Sequence, residues 1–489
     1  MAADERTPVL VGVGALSQRC DDPKDAPEPL EAMIRALERA AEDAGSRALL
    51  ARADRIAAPR GFWDYPDPCR VAAERFGAPR AKTEVAELGI LQTTLFGRAA
   101  AAIAAGEADV VLVMAAEARH RAQRAKALGV DAPATKLPPA AADSVLRPHA
   151  PILSPAEMRA GLLMPVIQYA MIENALRAAE GASIEKHRDE VARLWAGFAR
   201  AGAANPDAWD RRGADAAAIA DPARNPMQAF PYGKLHISQW NVDQAAGLVF
   251  CSVATAKRLG VAREKWVFPL AVADANHMVP FTERRALHRC AGFAASGRRA
   301  LERAGRTLAD VAHRELYSCF PVAVRLQMRE LGIDDGRPVT VSGGMPFAGG
   351  PLNHFSLQAL VKLAQLLRAD PGSAGYLSAV SGILTKQGAS VWCTEPGPHD
   401  FAFDDVSEET ARATAAVAMS EGAEGEGSVA TYTVLYEQGA PARTVVVCDL
   451  ADGRRTLASN ADPALAAIAV REELCGRAVR IAGGRAELH

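Results

Sequence analysis

Two rhythms of apolar residues run along this chain. Between residues 28 and 44, Leu30, Met33, Ile34, Leu37, Ala40, Ala41 and Ala44 fall three and four positions apart. That spacing puts them on one helix face, and Gly45 follows where a left-handed cap belongs. Shorter apolar runs flank this helix. Residues 9–13 predict a strand ending among Gly12 and Gly14, and 53–57 lead into another. A glycine-bounded loop at 89–97 precedes a small-residue helix at 98–105; Gly106 closes it, and 109–115 read as a buried strand. Helices are predicted at 154–176 and 184–199, the first capped by Ser154 with Glu157 at the capping-box position.

The pattern then repeats. A strand at 266–272 is followed by a helix at 290–304 and Gly305. The hexamer RALERA occurs at 35–40 and again at 299–304. Aligning the Ala-Gly ends of the two helices offsets the hexamers by four residues, so the repeat rests on the order of elements. A strand ends at 315–317, and Pro321 opens a helix at 321–330, where its missing N–H costs little. A β-branched run at 339–342 reads as a strand, followed by Gly343-Gly344, Gly349-Gly350-Pro351, a helix at 355–367 and a strand at 376–380. Two βαβ-type halves with small-residue helices between sheets imply a layered α/β fold. A linker at 404–427 contains a helix at 407–419 and the run EGAEGEG. Beyond it the rhythm becomes that of strands: 429–436 alternates, 442–449 is β-branched, Asp452-Gly453 is a turn signal, and a helix at 462–474 precedes a last strand at 477–481.

Composition narrows the classes. The 489 residues are 49% hydrophobic and 23% charged, enough for two to four core-forming units. A net charge of −2 gives no general attraction to nucleic acid or anionic membrane. The eight cysteines form neither a CxxC nor a Cys/His zinc pattern, so a reduced, cytoplasmic protein without a metal site is expected. The first 14 residues carry acids early and do not read as a signal peptide, and no apolar run reaches membrane-spanning length.

The stretch 339–353, VTVSGGMPFAGGPLN, resembles the late glycine block of the thiolase superfamily, GG-x-x-x-x-GHP. Gly343 and Gly344 match the first pair, Gly349 and Pro351 flank the histidine position, and that position is Gly350. The helix–Gly106–Asp109–strand block is similar to the one that follows the thiolase nucleophile. By that alignment the cysteine belongs at 89–92, where there is none; Cys69 lies too far upstream. Tyr317-Ser318-Cys319-Phe320 takes the place of the family's Asn-Glu-Ala-Phe, and Ser381 that of the late cysteine. The block 225–259, with PYGK and WNVDQAA, is identified with the thiolase-like protein type 1 group, near the sterol-carrier-protein thiolases. This resemblance implies an α-β-α-β-α fold: one half at 1–264 with a loop domain at about 119–225, a second half at 265–405, and an added β-rich, OB-like domain at 425–489.

It also implies a coenzyme A thioester as substrate or ligand and no tightly bound cofactor, while the charge of the chain argues for no nucleic acid. The family activity is that of an acetyl-CoA acetyltransferase. With its reactive residues replaced, the alternatives are an acyl-CoA-binding protein without catalysis and a thiolase-fold retro-aldolase, which would use tyrosines. Cys319, just before a helix N-terminus, His354 and Tyr317 are the catalytic candidates. Lys234, His236, Gly349, Gly350 and Ser381 are the candidates for contacting coenzyme A. Against these stand plainer readings: a buried structural cysteine, a helix-start histidine, packing tyrosines (Tyr232 among them) and a solvated lysine. Thiolases pair as dimers through their core sheets; the added domain leaves a monomer as the other expectation.

Overall fold

The computed structural model describes residues 4–488, so the first three residues of the N-terminal stretch read above lie outside it. The first half is a six-stranded sheet in the order Pro8–Ser17, Asp243–Ser252, Val110–Ala118, Arg55–Pro59, Lys82–Ala86, Ser144–Leu146. The second is a five-stranded sheet in the order Val311–Glu315, Ala374–Ser381, Lys386–Cys393, Phe268–Ala275, Ala402–Asp405. Two helices, Gln92–Ala104 and Phe355–Ala369, lie between the sheets and touch both. Pro29–Asp43 covers the outer face of the first sheet and Ala291–Arg303 that of the second. The expected α-β-α-β-α layering is therefore present, and the two RALERA helices occupy matching outer positions.

Several elements differ from the reading of the sequence, each for a local reason. The first central helix begins at Gln92, not at 98. Its glycine signals close packing rather than a loop: a Cβ at Gly97 would lie 2.7 Å from the Phe403 ring. The predicted helix at 154–176 is two helices. Pro155–Arg159 carries the Ser154–Glu157 capping box, Gly161 then takes φ 76°, and Pro165 starts Pro165–Ala179 afresh. The linker helix stops at Ala413 and the late one spans only Pro463–Ala469.

The run 339–342 is not a strand. It bends around Glu315, whose carboxylate accepts from Thr340 Oγ1 at 3.0 Å and from the amides of Val341 and Ser342 at 2.8 Å each. One buried acid thus takes the donors that a ladder would have used. Conversely, Lys386–Cys393 is an unexpected strand in the middle of its sheet. Its polar side chains are buried with partners: Lys386 Nζ donates to Gly89 O at 2.6 Å and Ser390 Oγ to Leu377 O at 3.1 Å.

The C-terminal strands Gly425–Glu437, Ala440–Leu450, Arg455–Asn460, Ala478–Ala482 and Arg485–Leu488 close into a small barrel. Closure comes from the first strand, which pairs with both the second and the fourth. Val434, Val446, Cys448, Leu474 and Val479 fill its interior. The barrel is attached to the body at two places. Leu435 pairs with Ala229 of a short ribbon in the loop region, and Arg177, on Pro165–Ala179, reaches Tyr432 and Glu473. At the other place buried Arg455 donates to the carbonyls of Thr282 and Arg284 in the second half.

Candidate functional site

The two central helices meet start to start. Gln92, at the first position of one, accepts a hydrogen bond at 2.5 Å from the amide of Ser356 on the other. Three segments close around this junction: 316–320 behind Val311–Glu315, the glycine turn 343–353, and the turn 381–385 that joins two strands of the second sheet. Tyr317 packs edge-on against Phe355 with ring centroids 5.7 Å apart. Its amide donates to Ser378 Oγ at 2.8 Å and its carbonyl accepts from Gln327 Nε2 at 2.9 Å. Ser318 Oγ receives the Met345 amide at 3.1 Å, tying the second segment to the first. Tyr169 reaches in from the loop region, stacks on Phe320 at 4.3 Å and donates to Gly382 O at 3.1 Å.

The glycines are needed for this closure. Gly343 has φ 103°, and a Cβ there would meet Gly202 Cα at 2.4 Å. Gly349 has φ 108°, and a Cβ would stand 2.1 Å from Gln244 Oε1. Gly349→Ala is therefore expected to destabilise the protein by about 2 kcal/mol, through a strained backbone and a displaced Gln244. The midpoint of thermal unfolding measures it. At Gly350 a Cβ would lie 3.0 Å from Ser238 Cβ and 3.4 Å from Met345, so a side chain restored there would crowd both residues.

The electrostatics oppose thiolate chemistry. Cys319 is buried, and burial pushes its thiol up to about 12. Beside it stand the Tyr169 and Tyr317 phenols, both raised by burial; among the described residues no cation or imidazole acts on the thiol. The Pro321–Leu331 helix start does not offset this desolvation. We expect iodoacetamide at pH 7.5 to alkylate the part-exposed Cys20 while Cys319 stays unmodified until the chain is unfolded, as read by peptide mass spectrometry. His354 is buried, and desolvation holds it down to about 3, so it is neutral, with no partner on Nε2 among the described residues. Tyr317 is pushed up by burial and stays protonated.

The remaining candidates divide. Ser381 ends its strand at the turn of the junction, and Gly349 and Gly350 line the opposing segment. His236 lies elsewhere, in the loop region: its Nδ1 accepts the Gly233 amide at 3.0 Å, and burial holds it down to about 4. Lys234 is exposed two residues away. Tyr232 is occupied structurally, donating to Glu173 at 2.6 Å. Gln92, Ser356 and Tyr169 were not singled out from the sequence. The empty window at 89–92 was the signal for Gln92, which stands at its end.

Comparison with known proteins bears on this geometry. Residues 405–484 match the family described as the thiolase-like protein type 1 additional C-terminal domain. Over 100% of both chains the structure resembles a crystal structure of a monomeric SCP2-thiolase-like protein type 1 from Mycobacterium smegmatis, with TM-score 0.84 and 29% identity. The chain is a thiolase-like protein of type 1 with an added C-terminal domain. Two more distant likenesses show the thiolase fold alone. The dimeric peroxisomal thiolase of Saccharomyces cerevisiae gives TM-score 0.56 and 15% identity over 80% of this chain and 98% of that one. The Ltp2-ChsH2(DUF35) aldolase gives TM-score 0.60 and 18% identity over 80% and 98%. A comparison with curated protein sequences returns no match. Among the described residues no helix is long and apolar enough to cross a membrane.

Proposed function

We propose that this thiolase-like chain holds acyl-CoA thioesters without carrying out thiolysis. The observation that carries this reading is Gln92. A carboxamide engaged with a backbone amide stands at the helix start where, by resemblance, the family nucleophile projects. A carboxamide donates and accepts hydrogen bonds but does not form an acyl intermediate. With Cys319 raised to about 12, no second thiolate takes its place. Buried, unpartnered His354 Nε2 and Asn353 Nδ2 remain available to a thioester or amide of the ligand. Lys234, exposed at the loop region, is the proposed contact for a coenzyme A phosphate. The OB-like barrel is read as a brace for the ligand-bearing body, in a cytoplasmic monomer, with the short Ser144–Leu146 as the edge strand beyond Lys82–Ala86 in the first sheet.

The test is calorimetric titration with acetyl-CoA and with coenzyme A, followed by mass spectrometry of the protein. Binding at a micromolar level, about −8 kcal/mol, with no mass increase supports the reading. An acetyl adduct lost in Cys319→Ala would make the protein an acyltransferase and overturn it. Cleavage of the Cα–Cβ bond of a β-hydroxyacyl-CoA, with the thioester kept and the activity lost in Tyr317→Phe, would instead select the retro-aldol alternative.

A further inference from the structure

A cavity of about 410 Å³ lies at the start of the helix Ala291–Arg303. The loop leading into that helix, the 381–385 turn and the linker helix Ser407–Ala413 form its walls. Gln92, Tyr317, Cys319 and His354 do not line it. Arg284 does, although this side chain is 5% exposed. Its Nε donates to Val279 O at 3.3 Å and one terminal nitrogen to Ile383 O, while the other, Nη1, has no acceptor. Among the described residues no carboxylate is paired with it. The buried Glu157 carboxylate acts on it from a distance but is itself held by Thr282 and Ser154, so Nη1 keeps an open hydrogen-bond position.

The rest of the lining points the same way. At the helix start Glu330 takes the Cys290 amide at 2.9 Å and Cys290 O the Phe293 amide at 3.1 Å, while among the described residues no side chain caps Ala291 and Gly292. The two acids in the lining are already engaged, Glu330 with Arg289 at 2.7 Å and Glu409 with Arg298. Their pairing leaves Arg284 and the exposed Arg285 as the charges of the wall without an ion pair among the described residues, beside the part-buried His277. Gln387 packs against the same turn, its Oε1 where a Cβ of Gly292 would stand and its Nε2 donating to Leu384 O at 2.7 Å. A guanidinium nitrogen and helix amides facing one space form a receptor for a planar or tetrahedral oxyanion. We propose that this cavity binds a small oxyanion, carboxylate or phosphoryl, seated between Arg284 and the first turn of Ala291–Arg303.

The experiment is calorimetric titration of the full chain, at constant ionic strength, with inorganic phosphate and separately with succinate. Saturable one-site binding of phosphate supports a phosphoryl ligand, and of succinate a carboxylate. Arg284→Gln is expected to weaken that binding at least about tenfold. The variant Ala294→Glu, at a half-buried lining position, should do the same by placing a negative charge in the cavity. Arg471→Gln, on the exposed face of the barrel, should leave binding unchanged. If Arg284→Gln does not fold, Ala294→Glu decides, because it leaves the Val279 and Ile383 contacts in place. Absence of saturable binding of both anions to the wild type overturns the proposal, as does binding that survives Ala294→Glu intact.

Discussion

Glu173→Ala is expected to cost about 3–5 kcal/mol of stability, because the change strips a buried cluster of its only interior negative charge. Glu173 is fully buried on Pro165–Ala179. Its carboxylate receives Arg325 Nη1, His187 Nε2 at 3.0 Å and the Tyr232 hydroxyl at 2.6 Å. Tyr232 in turn accepts the Val322 amide at 3.2 Å. Two loop-region helices, the ribbon around Tyr232 and the helix Pro321–Leu331 of the second half thus converge on one acid. Removing it leaves a mostly buried guanidinium with the part-exposed Glu180 as its remaining partner. Urea unfolding followed through tryptophan fluorescence, to which the fully buried Trp195 on the neighbouring helix Ile184–Ala204 contributes, measures the loss. A difference under about 1 kcal/mol would mean that the cluster adds little beyond packing.

The same residue sets an acid limit. Burial alone would raise Glu173, but Arg325, His187 and Tyr232 outweigh it and hold the carboxyl down to about 2. Its folded value lies below the unfolded one, near 4.3, so its contribution is complete above that pH and fades as pH falls toward 2. The gap between wild type and Glu173→Ala should therefore be constant from neutral pH to about 5 and narrow below 4.

The second large effect is expected at the barrel. Arg177→Met should lower stability by about 3 kcal/mol or more and expose the linker at 414–424 to limited proteolysis. Arg177 is fully buried. It donates to Glu473 at 2.9 and 3.1 Å, to the Tyr432 hydroxyl at 3.0 Å and to Asn174 Oδ1 at 2.5 Å. Asn174 Nδ2 continues the contact to Tyr432 O at 2.8 Å. Methionine fills the volume but leaves Glu473 and Asn174 Oδ1 without their donors. Release of a C-terminal fragment from the variant and not from the wild type is the expected gel result; equal resistance would place the attachment elsewhere.

What the sequence reveals here follows from where each signal is stored. Periodic helices such as Pro29–Asp43 and Ala291–Arg303 announce themselves because one face meets a sheet and the other meets water. Gln92–Ala104 does so only from 98 on, because both of its faces are covered and its first turns, around Gly97, resemble a loop. Lys386–Cys393 hides for the opposite reason: its polar residues find partners that lie far away in sequence, as Lys386 does with Gly89. The run 339–342 has the composition of a strand, and a single acid 24 to 27 residues earlier bends it. At the junction the glycine pairs were legible as backbone chemistry, whereas the burial that sets the state of Cys319 and His354 depends on the whole assembly. Glu173 and Arg325, 152 residues apart, carry no local pattern at all.

The barrel's two anchor points have a mechanical consequence. A cover joined to its enzyme only at its own ends is free to rotate as a flap. Here the loop region shares a β-ladder with the barrel through Ala229 and Leu435, while Arg455 of that barrel grips the second half at Thr282 and Arg284. The added domain acts as a cross-strut, and lifting the loop region would require prying the strut from one of its seats. Amide hydrogen exchange in Pro165–Ala179 should therefore be as slow as in the central sheets.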